Sequence, residues 1–441
     1  MPTNPVAEIR NVSSYWLPML IIGVLFFIFG FVTWLNGPLI TFSKLAFQVP
    51  DTYAFLVPAA FYISYFVLAL PSSAVLKRIG MKRGMALGLF FMAIGAALFS
   101  QFAPLRDYAG VLTGLFVIGA GLALLQTAAN PYVSILGPIE SAARRIAVMG
   151  ICNKGAGAIA PWVIGALVLH GIDKIDVQVK AAATPAARDA VLNSFAAQAR
   201  LPYIVMAVIL VLLAIWILRS ALPEIASEGA NREAPGARAS LWRVPHFWLG
   251  VVCLFLYVGV EVMAGDAIGT YGQGFGLPLG ETAHFTFLTM LAMLIGYALG
   301  FFLTPRFFSQ ERYLAGSAVL GVLLTLGAWL TTGFTSVLLV AALGFANAMM
   351  WPAIFPLAIR GLGRRTELGS GFLIMAIAGG AVIPQLFVHL KLHINFQLAF
   401  MVLMVPCYLY ILFYGVYGQR AGLAKSTPAR AGAIPNADVS L

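Results

Sequence analysis

The chain has 441 residues, of which 61% are hydrophobic and only 10% charged. A soluble protein of that length carries far more charge, so the composition excludes a string of soluble domains and points to a bilayer as solvent. The formal charge of +11 would suit nucleic acid, but the Lys and Arg residues fall almost wholly between apolar stretches, which is the signature of membrane topology and excludes a nucleic-acid groove.

About 20 apolar residues cross the hydrocarbon core. Taken in chain order, six runs at 14–36, 54–75, 84–102, 108–136, 146–169 and 202–219 qualify, and six more follow at 246–270, 283–304, 313–332, 335–358, 369–389 and 395–417. The first run is too long for a signal-peptide core and lacks a clear small-residue cleavage site, so it reads as a span. Residues 170–200 read as a loop with a short amphipathic helix. Residues 220–245, including EGANREAPGARAS, read as a flexible cytoplasmic linker, and the tail 418–441 reads as disordered. The expected organisation is therefore an N-terminal six-helix bundle at 1–219, the linker at 220–245, a C-terminal six-helix bundle at 246–417, and the tail. An even number of spans puts both termini on one face. With cytoplasmic termini, 19 Lys and Arg lie inside and 7 outside, with Lys154 alone within a span, so the positive-inside rule predicts that orientation. Cys152, Cys253 and Cys407 fall inside apolar runs with no metal-ligand spacing, so no disulfide framework or metal site is expected.

The two sets of spans repeat. Gln126, Asn130 and Pro131 in the fourth span match Asn347, Trp351 and Pro352 in the tenth, at an offset of 221. NKGAGAIAP, ending at Pro161 in the fifth span, matches AIAGGAVIP, ending at Pro384 in the eleventh, at an offset of 223. The loop LKRIGMKR after the second span has its counterpart in PRFFSQER after the eighth. Three matches in one order predict an all-α integral membrane fold of 12 transmembrane helices in two six-helix pseudo-repeats, the arrangement of a carrier that rocks two halves about a central site.

Five stretches carry a resemblance. They are FFIFGFVTWLNG at 26–37, LKRIGMKRG at 76–84, LQTAANPYVSILGP at 125–138, YVGVEVMAGD at 257–266 and MWPAIFPLAI at 350–359. Through them the chain resembles the major facilitator superfamily, and within it the fucose permease and glucose/galactose permease family. The resemblance runs through nearly all twelve spans. It implies the major facilitator fold and a rocker-switch sugar symporter of the bacterial inner membrane. The expected partners are a small-molecule sugar and the lipid bilayer, for a monomeric chain without cofactor. Glucose or galactose is the expected hexose, with N-acetylglucosamine or fucose as the alternative.

A charge at the bilayer centre costs roughly 2.5–3.5 kcal/mol on insertion scales. Of sixteen acidic residues only Glu261 and Asp266, both in the seventh span, lie inside the membrane, together with the base Lys154 in the fifth. One reading is a structural salt bridge from Lys154 to a seventh-span carboxylate that pins the halves together. The other is that Glu261, Asp266 or both take up H⁺ or Na⁺ and couple it to sugar. One charge moving across 100 mV supplies about 2.3 kcal/mol, enough to concentrate a neutral sugar roughly fifty-fold. Five residues turn the two carboxylates about 140° apart on a regular helix, so Gly265 must break the helix before both can face one line. The resembled family has an Asp after the first-span Asn and a Glu at the start of its fourth-span TAANP stretch, as its coupling and sugar-linked positions. Here these are Gly37 and Gln126, which moves any coupling to the seventh span and opens the alternative of an uncoupled uniporter.

A sugar site needs amides and carboxylates for hydroxyls and an aromatic face for the C–H side of the ring. Asn36, Gln126, Asn130, Asn153, Asn347 and Trp351 are the candidate sugar contacts, with Tyr257 and Gln273 behind them; each amide could instead bond another helix. Among the loop bases Lys77, Arg78, Lys82 and Arg83, most anchor topology, and Arg78 and Arg83 are the candidates for a gating role. His170, His246, His284, His389 and His393 sit at helix ends or in loops and receive no role. An enzyme would need a His, Ser or paired-carboxylate constellation near a membrane surface, and none is visible. A drug or lipid carrier would have a more apolar cavity than these amides make.

Overall fold

The computed structural model describes residues 16–135, 142–222, 241–303, 307–362 and 365–422. Among them, twelve helical spans are long and apolar enough to cross a membrane. Helix is the element that satisfies every backbone group within one segment in lipid, and Leu, Ile and Val then face the hydrocarbon. The sixth span, Arg200–Arg219, exposes Val205, Val208, Ile209, Leu212 and Ile215.

Each half is packed in the same pattern. In the first half the first span packs on the fifth, the second on the fourth, and the third on the fourth and sixth. In the second half the seventh packs on the eleventh, the eighth on the tenth, and the ninth on the tenth and twelfth. The halves meet where the second span lies along the eleventh and the fifth along the eighth, a pair of contacts that the repeat exchanges. Third and fourth spans approach closely because glycines face glycines. A methyl on Gly88, Gly95, Gly114 or Gly121 would overlap the partner backbone, Gly88 against Gly121 and Gly95 against Gly114. Small residues let helices pack by dispersion where no hydrophobic force drives them together. Gly95→Ala or Gly114→Ala is expected to cost about 1–2 kcal/mol of stability by overpacking, read as an earlier thermal transition in detergent. Gly316→Ala, where no atom lies within 4 Å of the added carbon, is expected to leave it unchanged.

Several spans are broken. The first runs as Trp16–Thr33 and resumes as Asn36–Ala46, ten residues past the end expected from its apolar run. The seventh stops at Gly265 and resumes as Ile268–Gln273. The tenth stops at Asn347 and resumes as Met350–Ile359, and the eleventh passes through a 3₁₀ turn at Ala376–Ala378. Their repeat partners, the fourth (Tyr108–Ile135) and fifth (Ala142–Leu167), are each one continuous helix. The halves share packing and the break in the first and seventh spans, but not the breaks of the tenth and eleventh.

The face opposite the termini is held shut by polar contacts across the halves. Lys44, from the first span, donates to Gln273 at 2.6 Å and pairs with Asp51 at 2.5 Å; Lys391, from the eleventh, also pairs with Asp51. Asp173 accepts from the Gly280 amide at 3.0 Å. The loop at 170–200 holds two helices rather than one, Ile172–Ala181 and Pro185–Ala197, because Thr184 caps the second and Pro185 begins it. On the termini face, Lys82 donates to the Ser220 carbonyl at 2.8 Å and Arg360 pairs with Glu311 at 3.1 Å. Arg78 and Arg83 are exposed and have no hydrogen-bond or ion-pair partner among the described residues, whereas Lys82 is seated on a neighbouring helix end. Most of the expected linker, 223–240, lies outside the described residues. Its last part is ordered, with a 3₁₀ turn at Leu241–Arg243 and Trp242 stacked on Trp248 at 4.6 Å. The start of the expected tail is ordered too. Gln419 is fully buried, and the Ala421 carbonyl accepts from the His246 amide. The rest of it, 423–441, lies outside the described residues.

Candidate functional site

A cavity lies between the halves, walled by the first, second, fourth and fifth spans on one side and the seventh, eighth, tenth and eleventh on the other. Gln126, Asn130, Asn153, Lys154, Glu261 and Trp351 all reach it. Gln126 donates to the Tyr65 hydroxyl at 3.0 Å, and Asn153 donates to the Phe26 carbonyl at 3.4 Å. Trp351 stacks on Phe355 with 5.9 Å between ring centroids. The amides therefore stand on the first half and Trp351 on the second, so a ligand between them touches both.

The seventh span breaks after Gly265, yet its two carboxylates still face apart. The amides of Asp266 and Ala267 both turn to the Val262 carbonyl, at 2.7 and 3.3 Å. The freed carbonyls of Ala264 and Gly265 are taken by Thr289 and Thr286 hydroxyls of the eighth span, at 2.6 and 2.7 Å. Such substitution by neighbouring hydroxyls is what makes a broken helix tolerable at this depth. Glu261 then points into the cavity and Asp266 away from it.

Lys154 Nζ lies 2.8 Å from Glu261 Oε1, which also accepts from the Tyr257 hydroxyl at 2.9 Å. Lys154 and Glu261 are 7% and 8% exposed. The ammonium also sits 4.5 Å from the Trp34 ring, a cation–π contact worth about 2 kcal/mol when desolvated. Charge, hydroxyl and ring together stabilise the pair in a place where two separate ions would be costly. The pair crosses the halves, fifth span to seventh.

Four candidates lie elsewhere. Asn36 is buried at the first-span break, and its side chain donates to the Thr33 carbonyl at 3.0 Å, so the freed backbone takes the amide that a sugar was expected to take. Asn347, at the tenth-span break, is fully buried, and its oxygen accepts from Tyr408 of the twelfth span at 2.9 Å. Asp266, 2% exposed, faces Gly37 and Tyr62 rather than the cavity. Gln273 stands at the sealed face with Lys44. Conversely, Trp34, Tyr62, Tyr65 and Tyr297 line the cavity without having been singled out. The signal available was Tyr62 and Tyr65, polar-tipped rings one turn apart within an apolar run, which demand partners when buried.

The sequence profile of the Major Facilitator Superfamily matches residues 22–384. A glucose/galactose transporter of Brucella abortus is 35% identical over 426 residues, covering 96% of this chain and 99% of that one. The L-fucose-proton symporter of Escherichia coli is 30% identical over 377 residues, covering 84% of this chain and 86% of that one. The crystal structure of the E. coli fucose:proton symporter superposes with a TM-score of 0.73 at 28% identity, covering 92% of this chain and 99% of the other.

Proposed function

Because the chain belongs to the major facilitator superfamily, in its fucose and glucose/galactose permease branch, we propose that it carries a glucose- or galactose-like hexose across a membrane by alternating access, driven by H⁺ or Na⁺ through Glu261 or Asp266. The observation that carries the reading is the cavity between the halves. It joins amides from the fourth and fifth spans to Trp351 of the tenth, beside a cross-half ion pair. Amides serve hydroxyls, the indole serves the C–H face of the ring, and the paired charges leave the cavity suited to a neutral substrate. The greater identity to a glucose/galactose transporter than to a fucose symporter supports hexose first. Both termini face the cytoplasm in this reading, on the bias of the basic loops.

Uptake of labelled glucose, galactose, fucose and N-acetylglucosamine into proteoliposomes, with imposed H⁺ or Na⁺ gradients, tests it. Glucose or galactose is expected to accumulate; uptake of none of the four sinks the sugar reading, and equilibration without accumulation leaves a uniporter. Gln126→Ala and Trp351→Ala are each expected to raise the half-saturating sugar concentration about ten-fold, as the loss of one contact worth about 1.4 kcal/mol does, with the protein still monodisperse.

A further inference from the structure

Asp266 is buried where the halves meet, and among the described residues no cation pairs with its charge. Among the described residues its Oδ1 has no hydrogen-bond partner within ordinary geometry, though the Gly37 backbone amide faces the carboxyl, and Oδ2 has the Tyr62 hydroxyl at 3.5 Å. Oδ1 lies against Gly37; a methyl there would stand 3.3 Å from it and 2.5 Å from the Thr286 hydroxyl. Gly37 and Tyr62 belong to the first half, Asp266 and Thr286 to the second, so closing the halves is what buries the carboxyl. The titratable and charged groups facing it are Tyr62 from the second span, Glu261 from its own and Lys154 from the fifth; the first and eighth spans offer only Gly37 and Thr286. Lys154 is already committed to Glu261 at 2.8 Å.

An ionised carboxylate taken from water without a partner costs several kcal/mol. The neutral acid costs far less and brings its own donor. A hard cation in its place would need several converging oxygens, whereas among the described residues the carboxyl has a single hydrogen-bonding hydroxyl, Tyr62; a proton needs one oxygen. We propose that Asp266 takes up one proton as the halves close on the face opposite the termini, and releases it when they part, while Glu261 stays ionised against Lys154. Carboxylate and hydronium become carboxylic acid and water, with no other reactant. Tyr62 both touches Asp266 and lines the cavity, so it stands between the carboxyl and the cavity. The assignment rests on the transport reading above and gives its coupling step to one of the two seventh-span carboxylates.

The test needs no sugar. Spin labels at Tyr53 and Leu392, exposed beside Asp51 and Lys391 on opposite halves, report the width of that mouth by pulsed EPR in the full chain in nanodiscs, with the three native cysteines replaced. In the otherwise wild-type protein the ratio of narrow to wide populations is expected to fall ten-fold per pH unit across the titration, as for one proton. Asp266→Asn is expected to stay narrow at every pH. On the wild-type chain, infrared spectra of the narrow state are expected to show the carbonyl band of a protonated acid, whether or not the variant folds. A mouth indifferent to pH, a missing acid band, or Na⁺ restoring the narrow state at high pH overturns the proposal. So does a pH response retained in Asp266→Asn, which would belong to Asp51 with its two lysines. Sugar exchange in a protein whose mouth ignores pH would leave the transport reading standing and remove this one; a pH-gated mouth without sugar exchange would do the reverse.

Discussion

Glu261→Gln is expected to destabilise the protein by about 3–5 kcal/mol, because it leaves Lys154 buried without its counter-charge. The ammonium keeps the Trp34 ring at 4.5 Å but loses the carboxylate at 2.8 Å, and an uncompensated buried charge costs more than the pair was worth. Lys154→Met is expected to do similar damage by stranding Glu261, whose remaining partner is the Tyr257 hydroxyl. The double variant Lys154→Met/Glu261→Leu is then expected to recover most of the loss, since replacing a whole buried pair with apolar groups is often neutral. Unfolding of the four proteins in detergent forms a double-mutant cycle, and near-additive losses would deny that the pair is a unit. Transport separates structure from coupling. Accumulation by the double variant makes the pair a cross-half fastener; exchange without accumulation makes it part of the ion path.

The number of spans and the repeat were legible because both rest on signals longer than one residue: apolar length, and matched Pro and amide positions at offsets near 222. The packing of both halves bears the repeat out. The breaks were legible only in part. A break at Gly265 is the condition for both seventh-span carboxylates to face one line; the break is there but the carboxylates face apart, and nothing in the fourth and fifth spans tells that they stay whole where the tenth and eleventh do not. Side-chain destinations were the least legible. Asn36 and Asn347 were singled out as polar residues in apolar helices, and both stand at helix breaks where a local backbone group or a neighbouring tyrosine claims them first. Of the cavity's tyrosines, Tyr257 was legible but Tyr62, Tyr65 and Tyr297 were not, because a ring inside an apolar run looks like core until it is found on the cavity wall.

Gly37 shows how a departure from a family pattern becomes intelligible in three dimensions. The resembled family places a carboxylate after the first-span asparagine; here that position has no side chain, and the Asp266 carboxyl comes from the other half to lie against it. In this chain a carboxyl at that place is buried by contact between halves rather than carried by one of them. Its solvation therefore changes as the halves move.

Asp51→Asn is expected to shift the closed face opposite the termini toward opening by about 2–3 kcal/mol, or 30–150-fold in population. Asp51 holds Lys44 of its own half and Lys391 of the other at once, so the neutral amide costs two charge-assisted hydrogen bonds and leaves two ammonium groups facing each other. Lys391→Met loses one of those bonds and no repulsion replaces it, because Asp51 keeps Lys44, so its effect is expected to be smaller by about ten-fold. Lys44 also keeps Gln273 at 2.6 Å in both variants, a contact across the halves that prevents complete release. The Asp51 carboxylate is about one-fifth exposed, so part of the attraction is screened, and molar salt is expected to narrow the gap between wild type and Asp51→Asn. A single cysteine at Thr33, on the cavity wall, reacts with an impermeant maleimide supplied from that face in proportion to the open fraction. Equal rates in wild type and Asp51→Asn would mean that the cluster decorates the closed face without holding it, and would leave the burial of Asp266 as the device that sets when it opens.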